Sequence, residues 1–224
     1  MKDVVEKMKK SVYSLVLSDE VVREVDKLAY KFNTNRSGMI NEILAEYLSL
    51  ITPESRIKQI ISSLENSISE STAFKIQPSS TDATFVVKSA LHYKYNPVIK
   101  YSVALYKNNK NHFGCIKAGI RTQNETLISF MNKFFILFNK IEMNFINFPD
   151  NLYHEISAGR LTRNFRVGTN NRIDDKLMGT SISAYIDNLD KMIKYYFSDL
   201  ENPNLINNLE KIYKDYIDCA KIIL

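Results

Sequence analysis

The chain has 224 residues, a hydrophobic fraction of 45 %, 12 Phe and 13 Tyr, only 6 Gly and 5 Pro, and a net charge of +5. That size and apolar content exclude a disordered or low-complexity chain and leave room for a small module plus a second domain of ordinary size. The basic excess suits a polyanionic partner, but its distribution says more than its total: residues 1–52 carry eight basic and eight acidic residues, and the surplus sits in residues 77–125.

The opening stretch, MKDVVEKMKK, is charged and has no apolar leader segment. Only two cysteines occur, Cys115 and Cys219, far apart. Both observations lead to the expectation of a reducing, cytoplasmic setting with free thiols. Lys7, Lys9 and Lys10 form a basic arm of the kind that meets phosphate. From Ser11 the pattern alternates, with Tyr13, Leu15 and Leu17 on one face and Val12, Ser14 and Val16 on the other, which predicts a short strand. The period then changes. Ser18 is a good helix cap, Asp19 and Glu20 suit the positive end of a helix dipole, and Val21, Val25, Leu28, Ala29 and Phe32 follow at helical spacing. Asn35 can cap a second helix carrying an apolar stripe from Met39 to Leu48.

One strand and two helices cannot bury their own apolar faces, and a lone strand leaves its backbone unpaired; a two-fold partner cures both defects. The segments VYSLVLSDEVV and TNRSGMINEILAEYL resemble the ribbon-helix-helix DNA-binding family over about 40 residues. The resemblance implies a homodimer whose paired strands enter the major groove of double-stranded DNA, with higher assembly on DNA left open. By position, Val12, Ser14 and Val16 would face the bases, with Lys9 and Lys10 just before. Asn35, Arg36 and Ser37, at the start of the second helix, would meet a phosphate. The strand departs from the usual pattern in lacking long polar readers, so discrimination by the ribbon alone is expected to be modest. Val12 and Val16 pairing across a dimer strand, and a solvated Arg36, are the alternatives.

Thr52-Pro53-Glu54 is a helix start, and Ile57, Ile60, Ile61, Leu64 and Ile68 give residues 53–71 the pattern of a linking helix. Ser67–Thr72 and Gln77–Asp82 read as loops. Residues 72–224 are expected to form an α+β domain with an antiparallel sheet and long helices. Strand-like segments run over Thr84–Tyr95, Val98–Tyr106 and His112–Arg121. A long helix from about Glu125 to Ile146 would cover the resulting meander; Lys133, Lys140 and Glu142 interrupt its apolar run, which argues against a membrane span. A further strand plus loop is expected after Asp150, and helices over Ser181–Leu200 and Asn204–Ile223 close the chain.

Ile156–Ile173 holds Arg160, Arg163, Arg166 and Arg172 with no acidic residue among them. Three readings stand: a pocket for an anionic effector such as a nucleotide, additional DNA-backbone contact, or surface arginines paired with Asp174, Asp175 or Glu155. His92, His112, His154, Cys115 and Cys219 are the possible metal ligands, and their spacing shows no HxH or CxxC pattern, so no metal and no cofactor is expected. No GxSxG, HExxH, P-loop or GxGxxG motif occurs, so an enzyme is not expected. The sequence therefore leads to a DNA-binding transcriptional regulator, a repressor in the simplest case, whose second domain senses a ligand or mediates assembly. An antitoxin or a plasmid partition or maintenance protein is the alternative, since both carry this fold.

Overall fold

A computed structural model of the chain describes residues 11–48, 50–79, 81–107, 112–146, 154–166 and 174–224. The fold is α+β, with six helices and one six-stranded antiparallel sheet among the described residues. The chain divides into two compact units, residues 1–52 and 53–224.

In the first unit, residues 11–18 are exposed and have no regular secondary structure, so the predicted strand is not formed within the single chain. The physical reason is simple: the described residues of the unit contain no other strand to complete a ladder. Helix α1 (Asp19–Lys31) starts at Ser18, whose hydroxyl accepts from Val21 N at 3.4 Å. Helix α2 (Arg36–Tyr47) starts at Asn35, whose side chain accepts from Gly38 N at 2.8 Å. Val25, Ala29 and Met39 are buried where the two helices meet, with Ile40 packed against them. The rest of each predicted stripe stays in solvent: Val21, Phe32, Leu44 and Leu48 are between 45 % and 60 % exposed, and Leu15 is 61 % exposed.

The second unit is a sheet with helices on one face. Its strands are β1 (Phe74–Gln77), β2 (Thr84–Ala90), β3 (Val98–Leu105), β4 (Gly114–Ile120), β5 (His154–Ser157) and β6 (Arg160–Phe165). The order is β1-β2-β3-β4-β6-β5, with every pair antiparallel. The expected three-stranded meander is thus four strands long, because β1 lies between the two segments read as loops. Four residues are too few for a period to show. The strand expected over Thr84–Tyr95 stops at Ala90; Tyr95 (φ 67°) and Asn96 (φ 43°) turn the chain in the left-handed region. Ala158 (φ 51°) and Gly159 (φ 72°) turn β5 into β6 as a two-residue hairpin loop, where positive φ at both positions matches the strand twist.

Helices α3 (Pro53–Ser69), α4 (Glu125–Phe145), α5 (Asp175–Ser198) and α6 (Leu205–Cys219) supply the other layer. Helix α3 is not a linker. Ile57, Ile60, Leu64 and Ile68 are buried in the main core, and α3 lies along α5 so closely that a Cβ on Gly179 would sit 2.5 Å from Ile60 O. Helix α5 begins six residues before the predicted Ser181, because Asp174 caps it by accepting from Leu177 N at 3.2 Å. The core side of the sheet carries Phe85, Val87, Ile99, Tyr101, Val103 and Leu161, all buried against Phe134, Phe138, Ile186 and Leu189 of the helices. The opposite face of the sheet meets none of these four helices and carries Lys75, Lys88, Lys100, Lys117 and Thr162 among its residues.

Candidate nucleic-acid interface

The residues expected to touch DNA lie on the first unit. Val12 and Val16 are fully exposed, at 101 % and 102 %, and Ser14 lies exposed between them. Lys9 and Lys10 lie outside the described residues. At the start of α2, Asn35 spends its side chain on Gly38 N, and Met39 N reaches Asn35 O at 2.9 Å. The backbone N–H groups of Arg36 and Ser37 belong to the first turn, where the helix itself provides no acceptor. Such donors favour an anion.

Arg36 is placed differently from the expectation. Its Nε donates to Asp26 Oδ1 at 2.7 Å and its Nη2 to Asp26 Oδ2 at 2.6 Å, a two-point fork that ties α2 to α1. The hydrogen bonds and the charge of Asp26 raise the Arg36 pKa, and the Arg36 hydrogen bond lowers that of Asp26. Arg36 is therefore first a strut between the helices, with only its remaining N–H groups to offer a phosphate. Asp26 also brings a negative charge to that helix start.

The described arginines of the segment expected to bind an anion, Arg160, Arg163 and Arg166, do not all share one side of the sheet. On β6, alternate residues face opposite sides of the sheet, so Arg163 points into the core with Leu161 and Phe165 while Arg160 is exposed on the other face. Arg166 follows the strand end, and Arg172 lies outside the described residues. Arg163 is fully buried and already holds its anion: Nη2 lies 3.0 Å from Glu142 Oε1 and Nε donates to Glu142 Oε2 at 3.2 Å. The expected effector pocket is corrected for Arg163: an extended segment turns it to the face opposite Arg160, and Glu142 already occupies its guanidinium.

Glu142 is the centre of a buried polar cluster that sequence reasoning missed. It lies on α4 and is also bonded to His154 Nε2 at 2.7 Å and to the Tyr213 hydroxyl, which donates to Oε1 at 3.1 Å. Arg163 further donates to Leu224 O and lies 4.7 Å from the Tyr185 ring centroid. Burial alone would raise the Glu142 carboxyl, but the charge of Arg163 and the His154 hydrogen bond outweigh it and hold the pKa at about 2. Burial raises the Tyr213 hydroxyl, as does the Glu142 charge, so it remains a donor. The cluster joins β5, β6, α4 and α6 and has no open side for a ligand. Its signal in the sequence was an acid deep within the apolar run of a long helix, far from its capped first turn, which demands a buried cation. A second polar tie lies between sheet and α5, where Asp190 accepts from Tyr101 at 2.9 Å and from Ser89 at 3.1 Å and pairs with Lys194 at 2.6 Å.

The candidate metal ligands are dispersed: His154 is bonded to Glu142, Cys115 accepts from the Tyr106 hydroxyl at 3.0 Å, and Cys219 is exposed at the end of α6. Among the described residues no three His, Cys, Asp or Glu side chains form a metal-binding group, and no helix is long and apolar enough to cross a membrane. No protein-family model, no curated protein and no solved structure matches the chain.

Proposed function

We propose that the chain is a DNA-binding regulator whose first unit works as a ribbon-helix-helix homodimer. The observation that carries the reading is the mismatch between what the first unit displays and what it buries. Two short helices bury Val25, Ala29 and Met39, with Ile40 packed against them, while Val21, Leu44 and Leu48 on the helices and Leu15 and Leu17 before them stay exposed, and residues 11–17 pair with no described strand. A unit of this size needs a larger core than that to be stable. A second copy supplies it without any new sequence: Ser11–Ser18 pairs antiparallel with its twin, and the alternating face of Tyr13, Leu15 and Leu17 closes over four helices. The other face, Val12, Ser14 and Val16, is then presented as a two-stranded ribbon of the width a major groove admits. Occupation of an operator suffices for repression, so repression is the direction proposed.

The test is oligomeric state together with DNA binding. Analytical ultracentrifugation of the full chain should show a dimer. Leu15→Asp should dissociate it, because the carboxylate would enter the shared core. Selection of bound sequences from a random duplex pool should return a two-fold site with the parent and none with Leu15→Asp. A monomeric parent that still selects a site would refute the ribbon.

A further inference from the structure

The register of the sheet assembles something that no single strand shows. Lys75 on β1 stands directly opposite Lys88 on β2, and Lys88 directly opposite Lys100 on β3. The same cross-strand row continues through Gly119 on β4 to Arg160 on β6. Gly119 leaves room there: a Cβ would lie 2.8 Å from Arg160 Cγ, so the arginine stem lies across the glycine, on the side toward Lys100. Lys117 projects from the neighbouring row, next to Ser102 and Thr162. The whole row lies on the face of the sheet turned away from the described helices of its own unit, α3 to α6. Its one acidic side chain among the described strand residues is Glu155, on the far edge strand β5. Among the described residues, Lys75, Lys88, Lys100, Lys117 and Arg160 make no ion pair.

Like charges directly opposite one another weaken a sheet, and neighbouring strands are only about 4.8 Å apart. Lysines on an outermost strand can be explained as protection against edge pairing, and Lys75 fits that account. Lys88 and Lys100 do not, because β2 and β3 are interior strands. The arrangement becomes favourable when a polyanion lies across it. Beside the row, Lys88, Lys100 and Ser102 line a shallow cleft of about 450 Å³ whose far wall is Gln77, Pro78, Ser79 and Thr84, with the Ser79 and Thr84 hydroxyls turned to Thr81 O. This is also where the surplus charge resides, since residues 77–125 hold seven basic and two acidic residues.

We propose that this face of the sheet is a sequence-independent docking surface for the phosphate backbone of duplex DNA, centred on Lys75, Lys88, Lys100, Lys117 and Arg160. No described strand residue on this face is aromatic, and Tyr106, just beyond β3, is tied by its hydroxyl to Cys115 and packed edge-on against His112, so the lysine row itself has no platform for stacking single-stranded bases. The exposed large apolar groups of this face among the described residues are Val98 and, just beyond β3, Tyr106, too few to insert into a bilayer. A flat basic surface without stacking groups or groove-entering elements reads phosphates and not bases. The choice of DNA over RNA rests on the reading of the first unit. Tethered to a ribbon seated on an operator, the sheet would meet adjacent duplex at high effective concentration.

The experiment uses the full chain and a labelled 30-base-pair duplex of arbitrary sequence, titrated by fluorescence anisotropy between 50 and 200 mM NaCl. Three lost phosphate contacts should reduce the slope of log affinity against log salt by about 2.7, which removes about 40-fold of the parent's loss of affinity over that range. The triple variant Lys75→Ala, Lys88→Ala, Lys100→Ala should show this reduction and melt no lower than the parent, since it relieves repulsion. A control with the same loss of net charge on exposed helix positions, Lys176→Ala, Lys191→Ala, Lys211→Ala, should keep the parent's slope. In a Leu15→Asp background the sheet-dependent part of the slope should persist. A triple variant with the parent's slope overturns the proposal, as does equal loss in the helix control. So does preference for an RNA duplex, or binding only to vesicles of phosphatidylserine and phosphatidylcholine. If Leu15→Asp binds like the parent while the triple variant does not, the sheet surface stands and the ribbon reading fails; the converse pattern removes the sheet surface and leaves the ribbon.

Discussion

Replacing Arg163 by Met leaves Glu142 buried without its principal counter-charge. The cost follows from the site. The Glu142 carboxyl is held at about 2 against an ordinary 4.5, although burial alone would push it up. That difference corresponds to about 3 kcal/mol of folding stability at neutral pH, and stripping one partner from a buried ion pair ordinarily costs about 3–5 kcal/mol. Methionine keeps much of the side-chain volume, so the loss is electrostatic and not a cavity. For a unit of this length such a loss lowers the melting temperature by about 10 °C. Differential scanning calorimetry of the full chain reads it as a shift in the transition of the larger unit. Because the folded carboxyl lies below its ordinary value, its contribution is complete above about pH 4.5 and is lost as the pH falls through about 2. In Arg163→Met the carboxyl titrates higher, so acid unfolding should begin at a higher pH than in the parent. Adding Glu142→Gln should restore most of the loss, since the amide can still meet Tyr213 and His154 and no charge is stranded. A single variant that melts within about 2 °C of the parent, or a double variant no better than the single, would refute the reasoning.

Three further outcomes follow from the same geometry. Gly179→Ala should destabilise the larger unit by about 1–3 kcal/mol, since the methyl would lie 2.5 Å from Ile60 O and 2.6 Å from Ser63 Cβ; urea unfolding reads the shift in midpoint. Asn35→Ala removes the acceptor for Gly38 N and should cost α2 about 1 kcal/mol, visible as faster amide exchange over residues 36–39 and as a higher dimer dissociation constant. Leu15→Asp should convert a dimer to a monomer in ultracentrifugation while the calorimetric transition of the larger unit stays in place, because Leu15 belongs to the first unit.

What the chain order alone determined was local. Ser18 and Asn35 each cap the helix that follows, through an oxygen that accepts from the first turn, and such a signal needs only neighbouring residues. Alternation placed β3 within one residue of its observed span, and helical spacing placed α3 and α4 equally well, because a period repeated over many residues is legible without a partner. The short elements were not legible: β1 and β5 have four residues each, and they become strands by pairing with β2 and β6. The start of α5 was hidden because Gly179 and Thr180 look like a break until α3 is laid against them. The arginine segment shows the limit most clearly. Its four cations looked equivalent in sequence, yet the tertiary structure buries Arg163 against Glu142, a residue 21 positions away on another element, and leaves Arg160 on the opposite face. The lysine row arose in the same way. Lys75, Lys88 and Lys100 are 13 and 12 positions apart, and only the hydrogen-bond register of three strands makes them neighbours. Side-chain neighbourhoods across a sheet are set by register, and register is decided by which faces the core must bury.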